Sequence, residues 1–304
     1  MVFLRSLRLA LGALFLALPG AQAAPAAPQA PVLTQKLNAY IGCMNRLSGR
    51  SFESRARYFS WVGKNGPTGR ERIVYGTYTI YDTSDCAKSV TAAHALVPHE
   101  ADLEAAATAY VEAVTALAPL LKEADAYYEQ ENYKDDKMAK GKALHPRLVA
   151  AWDAFAAADT ALRTRIDEIQ DRRALERLAE IEKAEGRTGR YQVELLMIEA
   201  KRVVRAETAE KPDLAKITEA VTAYEAAVKG AEPHAGSSFN RAATAYLVTA
   251  KQLMRRIRDK VPYSTGDKMM LSGQGSGWMV SGSPPRLTRD YNELVGAYNM
   301  GVKF

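Results

Sequence analysis

Apolar residues recur along this chain at intervals of three and four, the spacing that lines one face of an α-helix. Leu103, Ala107, Tyr110, Val114, Leu117 and Leu121 step in this way, and Leu148, Trp152, Phe155, Leu162, Ile166 and Ile169 repeat the pattern. The second run continues through Leu175, Leu178 and Ile181 to Gly186 among charged residues, which predicts one long helix. Pro119 is expected to kink or end the first, because proline lacks an amide hydrogen and crowds the preceding turn. From Tyr191 to Val204 the pattern is helical but less regular. Asp213 stands where a cap belongs for the run Leu214, Ile217, Val221, Tyr224 and Val228, with Gly230 as its stop. Phe239, Tyr246, Ala250, Leu253 and Ile257 give another helix, and Leu287, Tyr291, Leu294 and Tyr298 the last. At least six helices against no strand of comparable quality predict an all-α, multi-helix bundle with long antiparallel helices.

Two stretches break the rhythm. Residues 64–82 contain Asn65-Gly66-Pro67-Thr68-Gly69 and then the β-branched and aromatic run from Ile73 to Tyr81, read here as an irregular excursion in loop form. Ser272 to Pro285 is rich in Gly and Ser and is expected to be a flexible connector. Its run Gly273-Gln274-Gly275-Ser276-Gly277 lacks the preceding strand and the Lys-Ser/Thr of a phosphate loop. Neither stretch marks a domain boundary, so residues 33–304 are expected to form a single helical domain. Asn38 and Asn45, like Asn292 and Asn299, are seven apart and return to one helix face, which suggests that the first and last helices share a seam.

The ends change the picture. Arg5 and Arg8 precede the apolar run Leu9 to Leu18 and then Ala21-Gln22-Ala23, the pattern of a signal peptide over residues 1–23. Residues 24–32 read as a Pro/Ala-rich, non-helical spacer. No later segment is long and apolar enough to span a membrane, so the mature protein is expected to be periplasmic or secreted with no transmembrane segment. Cleavage removes two arginines and no acid, which lowers the net charge of +6 to +4. That excess is too small and too dispersed for a nucleic-acid partner. The chain of 304 residues is 47% hydrophobic and 25% charged, the composition of a folded protein and of no fibrous or disordered class. Two cysteines, Cys43 and Cys86, in an oxidising compartment read as one disulfide.

Several segments read together resemble a known family: Lys36-Leu37-Asn38-Ala39-Tyr40-Ile41, Tyr127-Tyr128 with Tyr133-Lys134-Asp135-Asp136, and Ser283-Pro284-Pro285 with Tyr291-Asn292 and Tyr298-Asn299. Across most of the mature chain they resemble the YiiG-like family of exported bacterial proteins and lipoproteins of unknown function. This chain has no cysteine at the cleavage junction to carry a lipid. The resemblance implies a helical envelope protein and supplies no reaction.

Two clusters are candidates for binding. Tyr127, Tyr128 and Tyr133 surround the paired carboxylates Asp135 and Asp136, with His145 further along, a set able to take a cation or polar ligand. The competing reading makes Asn132 and Asp135 the start of a helix, where a polar cap and an early acid satisfy free amides. The second cluster is basic and aromatic: Arg50, Arg55, Arg57, Lys64, Arg70 and Arg72, interleaved with Tyr58, Phe59 and Trp61, fit an anionic polymer or lipid headgroups. Its competing reading is a solvated helix face with the aromatic side in the core. The four histidines, His94, His99, His145 and His234, show no zinc spacing, and no Gly-x-Ser-x-Gly elbow occurs. No cofactor, metal or catalytic residue is expected. The functional expectation is a non-enzymatic binding or scaffolding protein of the bacterial cell envelope, with an unknown envelope component as partner. A hydrolase or metal-dependent enzyme using the Tyr/Asp/His cluster, and an adaptor for anionic surfaces, are the rival readings.

Overall fold

The computed structural model describes residues 29–209, 211–272 and 276–302. The expected signal peptide over 1–23 lies outside the described residues, as does the stretch up to residue 28 and the glycine run over 273–275. Among the described residues the chain is 77% helical, in nine α-helices and no strand, so the all-α expectation stands. The helices are α1 (Gln29–Phe59), α2 (Thr83–His94), α3 (Ala101–Glu129), α4 (Ala139–Glu185), α5 (Gly189–Glu207), α6 (Leu214–Ala231), α7 (Ser237–Arg258), α8 (Thr265–Ser272) and α9 (Pro284–Asn299). None among the described residues is long and apolar enough to cross a membrane. The chain divides into two compact units, one ending at Leu162 and the other starting at Arg163. That boundary falls within the 47 residues of α4, where no Gly/Pro-rich linker marks it.

The first unit packs α1, α2, α3 and the first part of α4 around Tyr40, Leu47, Tyr58, Tyr110, Leu121, Trp152 and Phe155. Cys43 of α1 and Cys86 of α2 form the expected disulfide, with Cα atoms 5.1 Å apart. Two polar devices cross this core. The fully buried Lys36 ion-pairs with Glu104 of α3 and donates to Pro98 O at 2.9 Å. The Ser48 hydroxyl donates to Asp159 Oδ1 at 2.6 Å and accepts from the Tyr110 hydroxyl at 2.9 Å, fixing α1 against α3 and α4. Such groups are tolerated inside because they are hydrogen-bonded.

Two expectations in this unit are corrected. Helix α1 begins at Gln29, inside the stretch read as a non-helical spacer, because Pro31 falls in the first turn, where a missing amide hydrogen loses no bond. Helix α3 continues through Pro119 to Glu129 instead of ending there. Pro119 is exposed, so the carbonyl it leaves unpaired faces solvent, while Leu117, Leu121 and Ala124 stay buried on the core side. Asn38 and Asn45 of α1, in the first unit, and Asn292 and Asn299 of α9, in the second, are all exposed. The 64–82 excursion is a loop, as expected, and is laid along α1. Ser54 Oγ donates to Tyr78 O at 2.7 Å and accepts from Tyr78 N at 2.9 Å, and Trp61 Nε1 donates to Gly76 O at 3.1 Å.

In the second unit α5, α6, α7 and α9 enclose a core built on Leu196, Val203, Ile217, Tyr224, Phe239, Tyr246, Leu287 and Leu294. Asp213 caps α6, accepting from Ala215 N at 2.9 Å and Lys216 N at 3.3 Å. Gly230 is not the stop. Helix α6 passes through it to Ala231, and the Gln192 side chain of α5 lies over it, with Oε1 2.7 Å from where a Cβ would stand. The described part of the expected flexible connector is packed: Gly277, Val280 and Ser283 are buried, and Ser283 Oγ donates to Val280 O at 2.7 Å while accepting from Arg286 N to cap α9. Pro284 at the first helical position needs no donor there, which is why the chain can turn directly into α9.

Candidate functional site

The Tyr/Asp/His residues of the first unit do come together, but as a core and a cap. Tyr58 sits at the centre, with ring centroids of Trp152 at 5.4 Å, Trp61 at 5.5 Å, His145 at 5.9 Å and Tyr128 at 6.4 Å. Tyr128 in turn touches Tyr127 at 4.9 Å and Tyr133 at 6.3 Å. His145 Nε2 lies 3.2 Å from Lys64 O and Nδ1 3.1 Å from the Tyr58 hydroxyl. With Nε2–H donating to the carbonyl, Nδ1 accepts from Tyr58, so both ring nitrogens are engaged. Gly66, at φ +94°, lets the loop lie against this ring, because a Cβ there would come within 3.0 Å of it. Burial pushes the Tyr58 hydroxyl up to about 12 and that of Tyr128 higher still.

Asp136 is the cap. Its Oδ1 accepts from the Tyr127 hydroxyl at 2.7 Å and from Ala139 N at 3.2 Å, and its Oδ2 from Lys140 N at 2.9 Å. Burial opposes its ionisation, but the Lys140 amide, the Tyr127 hydroxyl and the Ala139 amide hold its pKa below the ordinary carboxylate range. The helix start was expected at Asn132 and lies seven residues later. Asn132 opens only a short 3-10 turn, and its side chain donates to Gln130. Lys137 and Met138 follow Asp136 at φ +53° and +67°, a conformation that non-glycine residues adopt at a cost. The Asp136 bonds and the buried Met138 side chain hold that turn in place. Asp135 is exposed and shares none of these bonds. Asp136→Ala is therefore expected to lower the melting temperature, and Asp135→Ala to leave it in place. Equal effects in thermal unfolding would overturn the capping assignment. Among the described residues no group of three or more His, Cys, Asp or Glu side chains is placed to hold a metal ion.

The predicted basic patch divides in two. Arg55 pairs with Asp153 at 2.7 Å, Arg57 Nε donates to Tyr75 O at 2.7 Å, and Arg50 lies 3.7 Å above the Tyr78 ring. These three hold the loop and α4 to α1. Lys64, Arg70 and Arg72 are exposed, with no ion pair among the described residues.

One cavity that combines an apolar wall with a charged one was not anticipated by the residue pattern. It lies in the second unit between the end of α4, α5 and α9, has a volume of about 430 Å³, and is lined on one side by Leu175, Met197, Ile198, Tyr291 and Val295. The other side is charged. Lys201 pairs with Asp167 at 3.2 Å and Asp171 at 3.0 Å, and Arg205 pairs with Asp167 at 2.8 Å and with Asp171. Glu194 accepts from the Tyr298 hydroxyl at 2.7 Å and pairs with Arg177 at 2.8 Å. Burial and the Glu194 carboxylate push Tyr298 up to about 12. Arg202 also lines the cavity, and its partner Glu199 is itself buried. A signal for this site existed. Asp167 with Asp171, and Lys201 with Arg205, are like charges four apart, which weakens a lone helix and is relieved when the two helices face each other.

The family model described as "Protein of unknown function (DUF3829)" matches residues 31–300. The "Uncharacterized protein YiiG" of Escherichia coli (strain K12) is 40% identical over 289 residues, covering 92% of this chain and 82% of that protein. No solved structure matches.

Proposed function

The chain belongs to the DUF3829 family, and since that description supplies no activity, we propose a function from the cavity: it binds an amphipathic molecule with an apolar body and an anionic head, without turning it over. The observation that carries this is the lining itself. An apolar wall from three helices runs into a rim of Lys201, Arg202 and Arg205, held by Asp167, Asp171 and Glu199, where an anionic head would take up cations that these acids already orient. Pockets of this kind and size hold small molecules by apolar burial and use a few polar groups for orientation. Binding rather than chemistry is supported by the acids, each of which is engaged by a cation. A place in the bacterial cell envelope, periplasmic or secreted, is supported by the signal-like leader and by the disulfide, a bond that persists in oxidising compartments.

Dodecanoate is the probe. Calorimetric titration is expected to give saturable binding at one site. Met197→Trp and Val295→Trp fill the cavity from different helices, and each is expected to weaken binding about tenfold or more, a loss of about 1.4 kcal/mol. Arg202→Gln is expected to weaken dodecanoate more than dodecanol. Undetectable binding, or affinity unchanged in both tryptophan variants with native circular dichroism, would overturn the proposal.

A further inference from the structure

The second unit also carries an apolar surface that nothing in its own fold covers. Helix α8 has no buried residue, and the short turn Gly277–Met279 packs beside it. Met269 is 70% exposed, Met279 54% and Trp278 37%. Leu271 and Trp278 share an open groove of about 610 Å³ with Pro284, Pro285 and Arg289. The Arg289 guanidinium stacks 4.2 Å above the Trp278 ring and pairs with Glu293 at 2.6 Å.

Charge says what such a surface suits. Between Arg255 and Glu293 the sequence has seven basic residues and four acids. Three of the acids are matched: Asp259 by Arg258, Asp290 by Arg286 and Glu293 by Arg289. Asp267 accepts from Ser264 N. Lys260 and Lys268 are exposed and have no ion pair among the described residues. Methionine and tryptophan side chains beside unmatched lysines combine the two terms of interfacial binding, apolar insertion to the depth of the headgroups and attraction to anionic lipid. Tryptophan in particular favours that depth, because its ring is apolar and its N–H is a donor.

We propose that the α8–Trp278 surface docks this protein onto a bilayer rich in anionic phospholipid, with Met269, Trp278 and Met279 entering the headgroup region and Lys260 and Lys268 meeting the phosphates. This surface is separate from the cavity, and the proposal stands whether or not the cavity takes dodecanoate.

Tryptophan supplies the test. Trp152 is buried and Trp61 half-buried, so Trp278 is the tryptophan most exposed to a new surface. With vesicles of phosphatidylethanolamine and phosphatidylglycerol the full chain is expected to co-sediment and its emission to shift to shorter wavelength. With phosphatidylcholine vesicles neither is expected. Trp278→Phe is expected to abolish the shift while leaving sedimentation in place, and Met269→Asp to abolish both. Lys260→Glu and Lys268→Glu are each expected to weaken binding about fivefold or more. The proposal is overturned by failure to sediment, by a shift that persists in Trp278→Phe, or by binding that Arg70→Glu and Arg72→Glu remove and the lysine variants do not. Self-association without lipid that Met269→Asp dissolves would identify a second copy as the occupant and overturn it as well.

Discussion

Glu207→Gln is expected to raise the melting temperature at pH 8 to 9 and to leave it nearly unchanged at pH 5. Glu207 is the last residue of α5 and only 2% exposed, and neither carboxylate oxygen has a hydrogen-bond partner among the described residues. Burial pushes its pKa from 4.5 to about 8, and the Met254 backbone amide, close but outside hydrogen-bond geometry, offsets only part of the rise. Arg256, which lines the same small cavity, is spent on the carbonyls of Val261, Pro262 and Ser281. Between pH 4.5 and 8 the folded protein thus holds a proton that the unfolded chain has released. Stability falls as pH rises through that window and levels off above it. At ~1.4 kcal/mol per pH unit the loss is of the order of 5 kcal/mol, a large share of the stability of an ordinary domain. Glutamine keeps the shape and cannot ionise, so the wild-type slope should vanish. Parallel stability–pH curves for the two proteins would refute the assignment. Glu199 is also pushed up, by burial first, but it is present in both proteins and cancels in the comparison.

Removing the Cys43–Cys86 bond is expected to have the next largest effect. Both side chains are buried, and the bond closes a loop with a sequence separation of 43. A loop of that size constrains the unfolded chain enough to contribute about 4 kcal/mol in the chain-entropy treatment. The loss should fall on α2. This helix has 12 residues and buries only Cys86, Val90 and Ala93, too little to hold it firmly once the covalent tie to α1 is cut. Guanidinium unfolding with and without a thiol reductant is expected to show a lower midpoint for the reduced protein, and amide exchange to rise over residues 83–94. An unchanged midpoint, or an intact mass showing two free thiols before reduction, would contradict this.

Where local chemistry decides the structure, the residue pattern was sufficient. The three-four spacing placed α3, α4, α6, α7 and α9, because burying an apolar stripe is what stabilises a helix in a protein. Asp213 was legible as a cap for the same reason, since its partners are its own near neighbours in sequence. Pro119 and Gly230 were misread because both residues disfavour a lone helix, and the price of keeping them is offset only by neighbours the sequence does not identify. At Pro119 one face meets solvent while the other is held in the core. At Gly230 the absent Cβ makes room for Gln192. Asp135 and Asp136 look equivalent as neighbours, yet only Asp136 meets the Tyr127 hydroxyl and the first amides of α4.

The sequence by itself determined the helical class, the pairing of the two cysteines and the family resemblance, all of which rest on periodicity, composition or short segments. Tertiary structure alone decided the rest. It buried Tyr128 and His145 around Tyr58, spent Arg50, Arg55 and Arg57 on holding a loop and α4, and buried Glu207 with no hydrogen-bond partner among the described residues. It also opened a cavity between α4, α5 and α9 and left the α8 surface uncovered. A side chain's role in each case depends on what lies across from it, and charges or rings tens of residues apart in the chain become neighbours only when their helices pack.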